Sequence, residues 1–404
     1  MKKIFLYKQW LWACLIWVPG WLSAQQLPAA GTVPSPDTIA HPPKTFLTKT
    51  VDKYLNDTVT NAKKGFFVKP SMTVGAGYRI QKSKTGRQPF DAEHNLSANY
   101  ALNRGGFFIE YKSLFHQALG KWNLGIIGRA DLPNVYNFFG VGNETQMLAH
   151  KNSYYRYRTA ELYGGLSINR LVDSTHFFEF RPFYQTVRIK MDNDRIIANL
   201  PSILNTKEKE LEDGKTQFSR DYFAGAEATY HFQKKNNRLV PTKGFDFGLS
   251  GAYVVNTKNK DRSFTRYTSS ATVYLPLLKT LTLAVRAGGT MLQGQPEFYQ
   301  LGTLGGSENL RGFNRQRFYG KTTFYNNNEL RWLISTNNPL FRKVGLLGFV
   351  DQGRVWNPGE VSDKWHVGYG GGIIIVPYDR LVLNGTLGIS KEAMVLHCRI
   401  GFLF

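Results

Sequence analysis

From Pro70 to its end the chain keeps returning to a two-residue period. Met72, Val74, Ala76, Tyr78 and Ile80 alternate with Thr73, Gly75, Gly77, Arg79 and Gln81. Tyr222, Ala224, Ala226, Ala228, Tyr230 and Phe232 alternate with Gly225, Glu227, Thr229 and His231, and Leu281, Leu283, Val285 and Ala287 with Thr282, Arg286 and Gly288. At the end of the chain Met394, Leu396, Cys398, Ile400, Phe402 and Phe404 share one face, with His397, Arg399 and Gly401 on the other. Successive side chains of a strand point to opposite sides, so each run predicts a strand with one apolar and one polar face.

Alternation alone would also suit a soluble sandwich. The strands are long, however, and the chain opens with a targeting pattern. Lys2, Lys3 and Lys8 precede an apolar stretch from Trp10 to Ala24 that is interrupted by Pro19 and Gly20 and closes on Leu22-Ser23-Ala24. A basic start, a short apolar middle and a small residue before the cut predict a signal peptide over 1–24. Residues 25–69 are rich in Pro, Thr and Lys, with one faintly amphipathic piece around Phe46 to Leu55. They read as a periplasmic linker, too short for a substantial core of its own. An exported chain of long, two-faced strands fits a bilayer, in which only a closed barrel satisfies every backbone group. Residues 70–404 are therefore expected to form an all-β, transmembrane antiparallel β-barrel. Strand candidates begin near residues 71, 91, 105, 121, 153, 176, 219, 244, 263, 281, 322, 344, 366, 381 and 394. Bacterial barrels carry even numbers of strands, so sixteen are expected, with the missing one between Asp131 and Asn152. The charged stretch from Asp192 to Gln217 reads as an external loop.

Composition narrows the alternatives. Among 404 residues, 39 are Gly and 14% are aromatic, a mixture that suits strands joined by tight turns. No Gly period supports a collagen-like chain, and no apolar run past the N-terminus reaches the ~18 residues of a spanning helix. The net charge of +22 is spread along alternating strands instead of being gathered in a stripe, so no nucleic-acid partner is expected. Solvated polar faces account for most of it, with a cationic pore or an anionic lipid surface as the more specific readings. Cys14 lies in the targeting segment and Cys398 stands alone, which gives neither a disulfide framework nor a zinc pattern. The eight histidines are scattered without metal-ligand spacing, and no nucleophile elbow occurs. No catalytic residue, metal or cofactor is expected.

One connection differs from the rest. Between two strands the chain reads FYQLGTLGGSENLRGFNRQRFYG, from Phe298 to Gly320. A phosphate-cradling loop would need a helix after it, whereas TTFYNNNELRW alternates as a strand does. A long Gly-containing loop with Leu310-Arg311-Gly312-Phe313 suggests a segment that folds back and docks. Inside a confined lumen Arg311 would need an acidic partner, because an unpaired buried guanidinium is costly. Glu329 is one candidate, sharing parity with Asn327 and Arg331 against Phe324, Leu330 and Trp332. Asp351 is the other, although Leu347 and Phe349 share its parity.

These segments, in this order, resemble the BamA/TamA-type bacterial surface-antigen superfamily of outer-membrane barrels. FFGVGNET (Phe138 to Thr145) looks like its early-barrel motif and NNRLVPTKGFDF (Asn236 to Phe247) its mid-barrel motif. LGGSENLRGF matches the loop that enters the lumen, NELRW the next strand and GFVDQGRVW the one after. The resemblance implies a non-enzymatic barrel of the bacterial outer membrane, in contact with its lipids, that assists insertion or translocation of client polypeptides, with periplasmic or outer-membrane assembly partners. It implies that Arg311 docks on Asp351 and near Glu329, with Gly312 permitting close approach, and that Phe402 and Phe404 belong to a C-terminal assembly signal. It further implies a weak seam between the first strand, here near Ser71, and the strand ending at Phe404, where a client edge could add by β-augmentation. Relatives usually carry periplasmic polypeptide-transport-associated repeats; only the 25–69 linker precedes this barrel, so either a partner is expected to supply client capture or this member has drifted to another role. A passive or gated pore is the alternative function.

Overall fold

The structure, a computed structural model, describes residues 58–69, 73–84, 90–102, 105–147, 152–190, 194–199, 220–338, 341–379 and 381–404. The signal peptide expected over 1–24, the linker up to residue 57 and all but residues 194–199 of the external loop expected over 192–217 lie outside these residues. The first seven strands are β1 (Thr58–Lys69), β2 (Thr73–Lys84), β3 (Ala92–Ala101), β4 (Gly106–Leu119), β5 (Trp122–Asn137), β6 (Arg156–Val172) and β7 (His176–Lys190). Four more follow: β8 (Asp221–Lys235), β9 (Gly244–Asn256), β10 (Phe264–Pro276) and β11 (Leu281–Gly294). The connection after β11 contains a two-stranded hairpin, β12 (Gly302–Leu304) and β13 (Phe318–Gly320). The chain ends with β14 (Thr322–Ser335), β15 (Lys343–Trp356), β16 (His366–Val376), β17 (Leu383–Ile389) and β18 (Met394–Ile400).

Among the described residues, sixteen of these strands form one antiparallel sheet in chain order, with β1 and β18 as its edges. All fifteen expected strands are present. The sixteenth is not between Asp131 and Asn152, where β5 simply runs on to Asn137 and a loop follows. It is β1, paired residue by residue with β2 from Thr58↔Lys84 to Lys69↔Thr73. The linker expected to end at residue 69 therefore loses its last twelve residues to the sheet, and the edge opposite β18 is β1 instead of the strand near Ser71. Paired lysines at 63 and 64 and the polar run before them hide this strand from a search for alternating apolar residues.

The sheet turns its apolar side outward. Ile109, Leu162, Leu166, Phe180, Leu249, Trp332, Leu346 and Ile373 are all exposed, whereas Asn327, Glu329, Arg331 and Asp351 are buried on the inner side. An exposed belt of this kind would be an aggregation face in water, and it is the lipid-facing band that a membrane barrel requires. No helix among the described residues is long and apolar enough to cross a membrane; crossing is by strands. The sheet curls around a shared interior. Asn143, after β5, donates to the Val355 carbonyl of β15 at 2.5 Å, and Tyr157 of β6 packs on Phe298 in the connection after β11.

The interior is not uniformly polar. Val240, Leu347, Phe349, Ile374, Val376 and Val382 form a buried cluster with Phe402 against it. Val240 reaches it from the turn between β8 and β9. Asn237 accepts there from the Leu239 and Val240 amides, and Asn236 from the Thr242 and Lys243 amides, so two Asn side chains shape the turn. The inward Leu347 and Phe349 explain why Asp351 shares parity with apolar residues: all three point into the lumen, the first two as packing and the third as a charge partner.

Candidate functional site: a loop docked in the lumen

The connection from 295 to 321 folds back against the inner wall. A 3-10 turn at Phe298–Gln300 and the β12–β13 hairpin form its stem. Asn309 braces the tip, accepting from the Gly305 amide at 2.9 Å and donating to the Thr303 carbonyl at 2.9 Å. Leu310 and Phe313 are buried with Leu304, Phe318 and Val355, and Phe318 stacks on His366 with ring centroids 3.6 Å apart. Apolar residues thus seat the tip while its polar groups turn to the wall.

Arg311 sits between two carboxylates. Its Nε and Nη2 donate to Asp351 at 2.7 and 2.8 Å, its backbone amide donates to the same carboxylate at 3.1 Å, and Nη1 donates to Glu329 at 2.5 Å. The guanidinium lies 3.6 Å from the centroid of the Phe349 ring. Burial by itself would lower the pKa of Arg311. Hydrogen bonding to Asp351 and the charge of Glu329 outweigh burial and hold the group above its ordinary value. Glu329 also accepts from Arg331 Nε at 2.8 Å. Two cations and two carboxylates close a charge-balanced, buried network, in which loss of one member strands the others.

Two glycines set how closely the tip approaches. Gly312 has φ +88°, and a Cβ there would stand 2.7 Å from the Ile389 carbonyl oxygen of β17. Gly368 on β16 is the facing cut-out, since a Cβ would lie 1.8 Å from the Arg311 carbonyl oxygen. The Ser390 hydroxyl then donates to the Gly312 carbonyl at 2.7 Å.

Two features were not anticipated. Arg317 is buried and ties the loop to two others. It donates to Glu392, between β17 and β18, at 2.7 and 3.0 Å, and to the Thr145 hydroxyl, after β5, at 2.6 Å. The second is the end of the chain. The outward alternation expected to run from Met394 through Phe404 holds only to Ile400. Gly401, at φ +96°, turns the chain, and Phe402 and Phe404 enter the lumen beneath Arg331, 4.1 and 5.1 Å from its guanidinium. Arg286 and Arg399 join this tail to the loop tip. Arg286 donates to the Glu308 carbonyl at 2.6 Å and to that of Leu403 at 3.5 Å, and Arg399 to those of Ser307 at 2.7 Å and Leu403 at 3.4 Å. The only sequence signal for these residues was an arginine on the polar parity of an otherwise apolar strand. The expected residues Leu310, Arg311, Gly312, Phe313, Glu329 and Asp351 converge at one place; Phe402 and Phe404 lie nearby, not on the lipid face.

An apolar-skinned sheet of sixteen strands with its own loop packed inside is the architecture of an outer-membrane β-barrel that is internally plugged. The Omp85 superfamily domain matches residues 134–402, and the chain belongs to that superfamily of outer-membrane proteins. Among solved structures it is similar to BamA from Haemophilus ducreyi lacking POTRA domains 1–3, at 12% identity and a TM-score of 0.63, with 86% of this chain and 69% of that one covered. It is also similar to CdiB from Escherichia coli (12% identity, TM-score 0.53, 86% and 62% covered) and CdiB from Acinetobacter baumannii (12%, 0.50, 86% and 60%). At such identities the likeness speaks to the fold alone, and the chain spans 60–69% of the length of these three. No curated protein matches the sequence.

Proposed function

We propose that this barrel assists insertion or translocation of other polypeptides at the outer membrane, without an enzymatic step. The docked Arg-Gly-Phe loop, residues 311 to 313, acts as its internal regulator and the β1 and β18 edges as the place where a client strand adds. The observation that carries this reading is the coupling of loop and edge. Arg311 fixes the tip to β14 and β15, while Arg286 and Arg399 hold the same tip to the tail that follows β18. β18 is seven residues long, against fourteen in β14 and β15, and among the described residues its ladder is with β17 alone, leaving its outer edge open. An unpaired edge is a template for strand addition. Client polypeptides, outer-membrane lipids and periplasmic or outer-membrane assembly proteins are the partners this role requires.

The test uses the purified full chain in liposomes with an unfolded outer-membrane barrel as client, scoring client folding by heat-modifiable migration. Acceleration by the wild type and its loss in Arg311→Ala, with the barrel itself still folded, are expected. Planar-bilayer conductance addresses the rival role of a passive or gated pore. Small, flickering currents that grow when Gly305 to Arg317 is deleted fit a plugged assembly barrel. A large steady current from the intact protein, with no acceleration of the client, would overturn the proposal.

A further inference from the structure

The outer face at the rim of β6, β7 and β8 carries a separate feature. Tyr157, Val187 and Ile189 point inward into buried clusters, so Arg158, Arg188 and Lys190, on the alternate parity, point outward. Arg158 lies directly opposite Lys190 across the ladder, and Arg188 opposite Ala160. Arg220, just before β8, reaches the Thr186 hydroxyl at 3.4 Å on the same side. Among the described residues of β6, β7 and β8 at this end, the carboxylates face the other way: Glu161 is buried and accepts from Thr159 at 2.6 Å, and Asp221 accepts from Tyr299 at 2.6 Å. Like charges directly opposed on a sheet are destabilising. This rim therefore calls for an anion.

Below the cations, on the same outward face, is an apolar groove of about 470 Å³. Ile109, Leu162 and Tyr184 flank it, Gly128 and Gly164 form its floor, and Thr186, the residue Arg220 reaches, is among those lining it. Gly128 and Gly164 are ladder partners, and a Cβ added at either would meet nothing within 4 Å. Packing does not demand glycine at these positions; glycine leaves the groove open. Gly164 is six residues from Arg158, about 20 Å along the strand, within the reach of an acyl chain. The connections at this end of the strands, 138–155, 191–220 and 295–321, are long, whereas those at the other end, such as 120–121 and 173–175, are short. Long loops mark the extracellular side of a bacterial barrel, which places the rim at the outer leaflet.

We propose that this face is a binding site for a phosphorylated, acylated lipid of the outer leaflet. Its phosphate sits among Arg158, Arg188 and Lys190 with Arg220 at the margin, and one acyl chain lies in the groove over Gly128 and Gly164. The charge complementarity fixes the head group and the continuous groove fixes the orientation. The site is independent of the lumen loop and of the polypeptide-handling role.

The test uses the full chain in phosphatidylcholine nanodiscs containing a small fraction of diphosphoryl lipid A, with co-retained lipid counted by mass spectrometry of the intact complex. The triple variant Arg158→Gln, Arg188→Gln, Lys190→Gln, which alters only outward side chains, is expected to retain at least about tenfold less. The groove-filling pair Gly128→Leu, Gly164→Leu is expected to lower retention severalfold with all cations in place, and dephosphorylated lipid A to bind wild type as poorly as the triple variant binds the phosphorylated form. Unchanged retention in the triple variant overturns the proposal. So does equal retention of phosphatidylglycerol at matched mole fraction, which would mean a charged surface without a lipid site. Should the groove variant fail to fold, the comparison of phosphorylated with dephosphorylated lipid on wild type still decides.

Discussion

The docked loop holds two buried arginines six residues apart, and they face different worlds. Arg311 pairs with the barrel wall, with carboxylates on β14 and β15 that are themselves fully buried. Arg317 pairs with other loops, and its carboxylate partner Glu392 keeps a quarter of its side chain in solvent. The inner arginine belongs to a closed network on the wall, while the outer one ties the loop to the connections after β5 and after β17. The comparison teaches that the loop is attached at two levels, deep to the barrel wall and shallow to the neighbouring loops, and the variants below test whether these attachments open separately.

The largest effect is expected at the deep end. Arg311→Ala leaves Asp351 and Glu329 without their shared cation, a loss on the order of 3–5 kcal/mol for a buried pair stripped of one partner. Trypsin cleavage at Arg315 and Arg317 in the folded, membrane-embedded protein checks it, because the loop becomes a substrate only when undocked. Arg311→Lys is expected to fall between the two, since an ammonium cannot span both oxygens of Asp351 as the guanidinium fork does. Unchanged protection in Arg311→Ala would remove the distinction between the two ends. Next is Gly368→Ala. Its Cβ would press on the Arg311 carbonyl oxygen, at a cost of about 1–3 kcal/mol for overpacking. The same trypsin assay should show partial exposure, although no charge has been touched.

Much of the deep end was legible in the sequence, and the reason is chemical. An Arg at the Leu310–Phe313 tip of a Gly-containing loop needs an acid if it is buried, and Glu329 and Asp351 on later strands were the candidates; the resemblance to the surface-antigen barrels then joined the three before any coordinates. Period-two patterning located fifteen strands because each has one lipid face. It failed at β1, where polar residues and Lys63-Lys64 break the alternation, and at Phe402 and Phe404, where parity was extended through Gly401 although the backbone turns there. Arg317 was invisible for a different reason. Its partners, Thr145 and Glu392, lie 172 and 75 residues away in loops, which carry no periodicity to constrain them.

Arg317→Ala is expected to act at the shallow end only, with a cost of about 1–2 kcal/mol from lost charge-assisted hydrogen bonds. Hydrogen exchange should rise in residues 138–147 and 390–393 while residues 309–313 stay protected. Spread of the effect to Arg311 would show the two attachments to be one cooperative unit.

The smallest effect concerns Glu144, which joins the loop after β5 to the one after β15 by accepting from Ser362 at 2.7 Å and from Lys364 at 3.3 Å. Hydrogen bonding from Ser362, then from Lys364, holds its pKa below the usual glutamate value. A carboxylate whose folded pKa is depressed contributes stability above its unfolded pKa and loses it as pH falls through the folded value. The contact is therefore intact at neutral pH and is released only in acid, as pH falls below the usual glutamate range. Because the pair is exposed, salt screens it and the contribution is slight. Glu144→Gln should abolish the acid-dependent rise in exchange of residues 141–145 and leave neutral-pH exchange at Arg311 and Gly312 unchanged. A shift at Arg311 would mean that even the outermost contact is wired to the wall, and the two-level attachment would have to be given up.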